Sequence, residues 1–309
     1  MHRLLLVLAL AWLGACEAPV VPDSAEACRV ERLTSVPMRE AGGLWVVDVQ
    51  IHGKPATLML DTGANNVLLL PEAVKRLNIR IDSNARYAVT AAGGTTVFRR
   101  ALEIDEMAIG SERIEHLRFP ELEGAHWAER GYDGILGMTA FARFDVEIDF
   151  PAKTLSLYRR RFCPSGAPPW RERHASFPAT ARGSSQGSPM APAQLDGQRG
   201  RALLDTGASL SVVDSAFARR AGGGEVPASG PRNATAHTVG DAPATLGLRR
   251  FRELRVAGMR FTSPHLWVGQ LGDRVELLLG LDVLARTRIW ISHGSDRVHL
   301  AVPPEPAAK

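Results

Sequence analysis

One segment occurs twice in this chain, and that repetition limits its architecture more than any other feature. Asp61-Thr62-Gly63-Ala64 returns as Asp205-Thr206-Gly207-Ala208, an offset of 144 residues (205 − 61). A turn glycine stands 8 residues ahead of each aspartate, Gly53 (61 − 53) and Gly197 (205 − 197), with a β-like run leading in. Behind each motif come a triplet, Val67-Leu68-Leu69 or Ser211-Val212-Val213, apolar but for Ser211, and a helix-like segment, Pro71 to Leu77 or Asp214 to Ala221. Farther on, Asp133-Gly134-Ile135-Leu136-Gly137 is answered by Glu276-Leu277-Leu278-Leu279-Gly280, an offset of 143 (280 − 137). The alternating segments Phe144 to Asp149 and Thr287 to Ser292, then closing strands Thr154 to Tyr158 and Arg297 to Val302, complete the two copies. Such self-similarity reads as one unit folded twice.

Short β-branched and apolar runs separated by glycines outnumber helical patterns, so the fold class is mostly β. Trp45 to Ile51, Ala56 to Leu60, Tyr87 to Thr90 and Thr95 to Leu102 are the clearest strands of the first copy. The second copy begins near Arg173, because Ser176-Phe177-Pro178 falls where Ser35-Val36-Pro37 falls in the first. The expected organisation is a first lobe over 33–162, a linker over 163–172, a second lobe over 173–302 and a tail over 303–309. Of the 309 residues, 45% are apolar and 23% charged, with a net charge of +4, which excludes a disordered polymer. The clusters Arg159-Arg160-Arg161 and Arg249-Arg250-Phe251-Arg252 lack the run of interleaved aromatics or the recognisable module that nucleic-acid binding needs; they read as solvated faces, and no nucleic-acid partner is expected.

The repeated tetrapeptide has a specific chemical capacity. Its glycine lets the backbone fold sharply after the aspartate, which places the carboxylate at a loop tip. The threonine hydroxyl can donate and accept, so it can lock one loop against its mate. Two such loops related by a pseudo-twofold axis would bring Asp61 and Asp205 face to face. Like carboxylates a few ångströms apart do not both ionise easily, and the pair shares one proton over a broad pH range. It then holds an acid and a base at once: one member can take a proton from water while the other polarises the carbonyl that water attacks.

At these residues the chain resembles the aspartic protease superfamily, specifically the bacterial retropepsin-like enzymes, but with both lobes fused as in pepsin-like proteases. The resemblance spans Leu33 to Val302. It implies two pseudo-twofold-related acid-protease β-barrel lobes, with Asp61 and Asp205 as catalytic dyad and Thr62 and Thr206 as its interlocked supports. It also implies substrate contacts at Gly63, Ala64, Gly207 and Ala208, and a β-hairpin flap over the cleft. Tyr87 to Val97 reads as that flap, with Gly93-Gly94 at its turn, and Ala236 to Asp241 offers a second. The lobes are not chemically equivalent around the dyad, since Asn65 stands where the second copy has Ser209. No cofactor is implied, and His116, His126, His174, His237 and His265 show no spacing suited to a metal. The substrate would be an extended polypeptide segment, and a chain carrying both halves has no need to dimerise. The rival reading is a catalytically inactive lipoprotein of the same fold that captures peptides without cutting them.

Ahead of the repeat, the basic start His2-Arg3 and the 12-residue apolar stretch Leu4 to Ala15 have the form of an export signal over 1–15. Its end, Leu13-Gly14-Ala15-Cys16, resembles the lipobox of bacterial lipoproteins, so Cys16 is the expected lipidation site, followed by a tether over 16–32. The resemblance implies an exported, periplasm-facing lipoprotein, and Glu17 after the lipidated cysteine points to the outer membrane. An envelope protein is then the expected substrate. Cys28 and Cys163 remain, an even pair that in an oxidising compartment reads as one possible disulfide.

Overall fold

The computed structural model describes residues 28–85, 87–91, 94–98, 100–121, 131–161, 166–179, 189–222, 233–236, 244–271 and 275–302. The export signal, Cys16, Gly93, Cys163 and the tail beyond Val302 lie outside them.

Each copy is built around a two-residue hairpin. Strands Leu44–Ile51 and Lys54–Leu60 pair with Ile51 opposite Lys54, and the connecting His52 and Gly53 both have positive φ, 49° and 71°. In the second copy Met190–Leu195 and Gln198–Leu204 close through Asp196 and Gly197, at 47° and 88°. Two consecutive left-handed residues define the hairpin turn whose twist matches that of its strands. The return strand of each hairpin then runs into the aspartate. It lies parallel to a three-residue strand, Gly134–Leu136 or Leu277–Leu279, which in turn pairs antiparallel with Leu68–Leu69 or Val212–Val213 of the strand Val212–Asp214. Strands enclosed on both faces carry unbroken apolar runs rather than alternation, which accounts for Leu58-Met59-Leu60 and Leu277-Leu278-Leu279, all buried.

Helix Pro71–Leu77 starts on proline and ends at Asn78, whose φ of 56° is left-handed. Helix Ser215–Arg220 is capped by Asp214, which accepts from the Ala216 and Phe217 N–H groups.

The copies join through six adjacent strands of one sheet, in the order Ala175–Pro178, Arg297–Ala301, Arg288–Ser292, Asp145–Asp149, Thr154–Arg161, Arg29–Ala41. The two central strands are antiparallel with Glu147 opposite Trp290. Their separation in sequence is 143 (290 − 147), the offset of the repeat itself, so the pseudo-twofold axis passes between these two residues. Ser35 and Ser176, matched in the sequence, occupy the two outermost strands of this six-strand run. On its inner face Val146, Ile148, Leu155, Leu157, Ile289, Ile291, Val298 and Leu300 join the main core. The outer face carries Glu147, Ser156, Trp290 and His299, and it is buried as well, because the segment around Trp170 lies across it.

Four expectations change. The run Thr95 to Leu102 is two strands, Gly94–Phe98 in a separate hairpin and Ala101–Ile109 in the main sheet. Arg100 stands at the break, held by an ion pair to the buried Glu121. Gly94 belongs to the hairpin strand opposite Ala91 rather than to the turn. The first lobe's leading strand starts at Arg29, ahead of residue 33. Arg160 is not on a solvated face: its side chain is 9% exposed, ion-paired to Asp145, and donates to the Gly166 and Ala167 carbonyls at 3.1 and 3.0 Å.

Candidate active site

Each Asp-Thr-Gly loop is locked to the other through its threonine. The Thr62 N–H donates to Thr206 Oγ1 at 3.0 Å, and the Thr206 N–H donates to Thr62 Oγ1 at 3.1 Å. Each hydroxyl also donates across the axis, Thr62 to the Leu204 carbonyl at 2.6 Å and Thr206 to the Leu60 carbonyl at 2.7 Å. All four bonds are buried, and both threonines are at most 1% exposed. A serine could reproduce these bonds, but the threonine methyl also fills the enclosed space.

Behind each loop the downstream glycine makes room for it. The Asp61 N–H donates to the Leu136 carbonyl at 3.1 Å and the Met138 N–H to the Ala64 carbonyl at 2.9 Å. The second copy repeats this with Asp205 to Leu279 at 2.9 Å and Leu281 to Ala208 at 2.8 Å. A side chain at Gly137 would overlap the Asn66 carbonyl, and one at Gly280 would stand 2.6 Å from the Leu210 carbonyl. The glycine in each downstream motif is therefore a packing requirement of the aspartate loop. The acid opening each motif is structural too: Asp133 accepts from the Thr57 N–H and pairs with Arg76, both at 2.8 Å. Its counterpart Glu276 accepts from the Arg201 N–H at 2.8 Å and pairs with Arg220 at 3.3 Å.

The two carboxyls meet. Gly63 and Ala64 N–H groups donate to Asp61 Oδ1 at 2.8 and 2.9 Å, and the Gly207 N–H donates to Asp205 Oδ1 at 2.9 Å. Asp61 and Asp205 lie close enough that each shifts the ionisation of the other. A methyl group at Gly63 would stand 2.6 Å from Asp205 Cγ, and one at Gly207 would crowd Asp61 Cγ more closely still. Each glycine thus leaves the space that the opposite lobe's carboxyl fills.

Burial pushes the Asp61 carboxyl above its ordinary value, while bonds from Ala64, Asp205 and Gly63 pull it back. Asp205 is raised further, by burial first and by the Asp61 charge second. Proximity therefore separates the two ionisations, as expected for a coupled acidic pair.

The structure brings together Asp61, Thr62, Gly63, Ala64 and Asp205, Thr206, Gly207, Ala208. Gly94 lies in the hairpin Tyr87–Ala91/Gly94–Phe98, a separate two-stranded sheet. Strand Asn233–Ala236 forms a hairpin with Ala244–Arg250, and its connection lies outside the described residues. Cys28 is disulfide-bonded. The sequence reading missed one pair: Ser211 Oγ donates to Asp282 Oδ1 at 2.7 Å and accepts from the Gly280 N–H at 3.0 Å. Its signal was present, because these residues replace Val67 and Thr139 of the first copy (211 − 144, 282 − 143).

Two β-rich lobes paired about an axis, each presenting one aspartate on a threonine-locked loop, define an acid-protease architecture. The profile of a family described as Aspartyl protease matches residues 47–140 and 191–283, one stretch in each copy and together more than half of the chain. The chain belongs to the aspartyl protease family. It is similar in fold to the crystal structure of an aspartic proteinase from Irpex lacteus, with a TM-score of 0.53 and 14% identity, over 89% of this chain and 97% of that one. No functionally curated protein matches it in sequence.

Proposed function

We propose that the chain is an aspartic endopeptidase that hydrolyses peptide bonds in extended polypeptide segments, with Asp61 and Asp205 as its catalytic pair. The reading is carried by the reciprocal fit across the axis, Gly63 against the Asp205 carboxyl and Gly207 against that of Asp61. A water held between the carboxyls loses a proton to the ionised member as its oxygen attacks the peptide carbonyl carbon. The protonated member donates to the carbonyl oxygen. As the carbon–nitrogen bond breaks, the acquired proton passes to the leaving nitrogen and a hydroxyl of the tetrahedral carbon returns its proton to the carboxylate that had donated, so the pair again holds one proton and no covalent enzyme intermediate forms. The shared proton belongs to the pair rather than to one aspartate.

Gly63, Ala64, Gly207 and Ala208 would border the substrate backbone. Tyr87–Ala91 and Gly94–Phe98 would close over it as a flap, with the Asn233–Ala236 hairpin as a second. Strand-like recognition of this kind favours loops and unfolded segments. With both halves in one chain, a monomer suffices.

The location we propose is the bacterial envelope: export by residues 1–15, lipidation of Cys16 and a periplasm-facing, outer-membrane-anchored enzyme acting on envelope proteins. We assign the partner of Cys28 to Cys163. The register that sets Arg29 against Arg161 supports this, since in the sequence Cys28 precedes Arg29 and Cys163 follows two residues after Arg161.

The test is cleavage of a diverse peptide mixture from pH 3 to 8 by the soluble chain and by its Asp61→Asn and Asp205→Asn variants. Fragments from the parent and none from either variant are expected. Cleavage that survives either substitution refutes the assignment.

A further inference from the structure

The catalytic aspartates sit on different lobes, so their separation is a statement about how the lobes are placed. Among the described residues, the threonine lock beside the dyad and the six-strand sheet behind it span the lobes. On the outer face of that sheet, at the pseudo-twofold axis, lies Glu147. It is 3% exposed. The repeat places Trp290 at its own symmetry-related position, so the axis carries a carboxylate on one side and an indole on the other.

The Glu147 carboxylate collects donors from three parts of the chain. Tyr158 of the first lobe donates its hydroxyl at 2.6 Å. Arg288 of the second lobe donates from Nε at 2.8 Å and approaches from Nη2 at 2.6 Å. Trp170, from the segment joining the lobes, donates its indole N–H at 2.5 Å. Arg288 is held further by Asp149 at 3.2 Å and Glu172 at 2.8 Å, and its guanidinium lies 4.8 Å from the Trp170 ring centre. The titratable and charged groups facing Glu147 and Trp290 are Arg32, Asp145, Asp149, Tyr158 and Arg160 from the first lobe, His174, Arg288 and His299 from the second, and Glu172 from the joining segment.

A buried carboxylate–guanidinium pair is a weak source of stability, because desolvation offsets most of its attraction; apolar residues of equal volume would serve the core as well or better. Directional bonds instead fix geometry. Here they fix one lobe's central strand against the other's. The position is transmitted through paired strands. Glu147 is opposite Ser156, Ser156 donates to Ser35 at 2.9 Å, and Ser35's strand pairs with Leu44–Ile51. That strand pairs with Lys54–Leu60, which ends at Asp61.

We infer that Glu147 is a positioning residue, a latch on the back of the interlobe sheet that sets the separation of Asp61 and Asp205. The inference rests on the proposed dyad. Neutralising the latch lets the lobes rock, the carboxyls move apart and their mutual influence falls.

The experiment uses the full soluble chain with 13C-labelled aspartate carboxyls, titrated by NMR, beside peptide-cleavage kinetics. In Glu147→Gln the two ionisation steps of the dyad converge, and kcat falls about tenfold while KM stays within about twofold, since small misplacements of reacting groups cost rate steeply. Trp170→Phe keeps the ring but removes one donor and gives a smaller change of the same sign. Arg288→Lys keeps the charge but loses the planar fork and behaves like Glu147→Gln. A merely structural role would lower Tm and leave both dyad steps where they were. If Glu147→Gln does not fold, the other two variants decide. Unchanged dyad steps and kcat in the folded variants overturn the inference. A parent chain that cleaves nothing refutes the proposed function instead, and the titration still reports whether the latch couples the carboxyls.

Discussion

Gly63 and Asp205 belong to different copies of the repeat, yet a methyl group on Gly63 would stand 2.6 Å from Asp205 Cγ. That contact forces glycine in the motif: the backbone of one lobe is the wall against which the other lobe's carboxyl rests. Gly63→Ala must displace the carboxyl or part the loops. Peptide cleavage should fall at least about a hundredfold, with a stability loss of about 1–3 kcal/mol from overpacking in a denaturant titration. A Gly63→Ala protein with parental kinetics would show that the loops do not meet this closely.

The threonine lock predicts a different signature. Thr206→Val keeps the shape but removes the donor to the Leu60 carbonyl and the acceptor of the Thr62 N–H. Two buried partners are left unpaired, a cost of about 2–4 kcal/mol. Thr206→Ser retains both bonds and should lose less. Urea midpoints of the two variants give the comparison.

Stability should depend on pH through the dyad. The Asp205 carboxyl is raised well above the ordinary value of 3.8, by burial and then by the Asp61 charge. Between the ordinary and raised values the folded chain holds a proton that the unfolded chain has released. This contribution is complete below the ordinary value and is lost as pH rises through the raised one. Asp205→Asn carries no charge and keeps an oxygen for the Gly207 N–H. Its Tm should exceed that of the parent at pH 7, and the gap should close near pH 3. An equal gap at both ends would mean that ionisation of the pair is not responsible.

The lobes differ at Ser211 and Asp282, which bond to each other where the first copy has Val67 and Thr139. Ser211→Val leaves the buried Gly280 N–H without its acceptor, while the exposed Asp282 carboxylate turns to water, and should cost about 1–3 kcal/mol. Asp282→Thr alone removes the other partner of the bond. A double-mutant cycle measures the coupling, and strict additivity would argue that the bond contributes nothing.

Much of the architecture was legible because the duplication carries three-dimensional information. The offset of 143 reappears as the register of Glu147 against Trp290 at the axis. Turn chemistry was equally explicit at His52-Gly53 and Asp196-Gly197, where local sterics decide the conformation. What stayed hidden depends on partners far away in the chain. The alternation of Phe144 to Asp149 assigns Glu147 to a polar face, and only the Trp170 segment lying over it makes that face interior. Arg160 reads as part of a basic surface run until Asp145 and the Gly166 and Ala167 carbonyls enclose it. Thr95 to Leu102 looks like one strand because each half has strand propensity, while the ion pair of Arg100 with Glu121 at the break involves another segment.

Peptide hydrolysis carried out in H2(18)O, acid-quenched and followed by intact-protein mass spectrometry, tests the central claim most directly. A water activated between Asp61 and Asp205 predicts label in the new carboxyl terminus, no acyl-protein adduct at any time point, and no product with either Asp→Asn variant. A trapped acyl-protein, or labelled product formed by Asp61→Asn or Asp205→Asn, would contradict it.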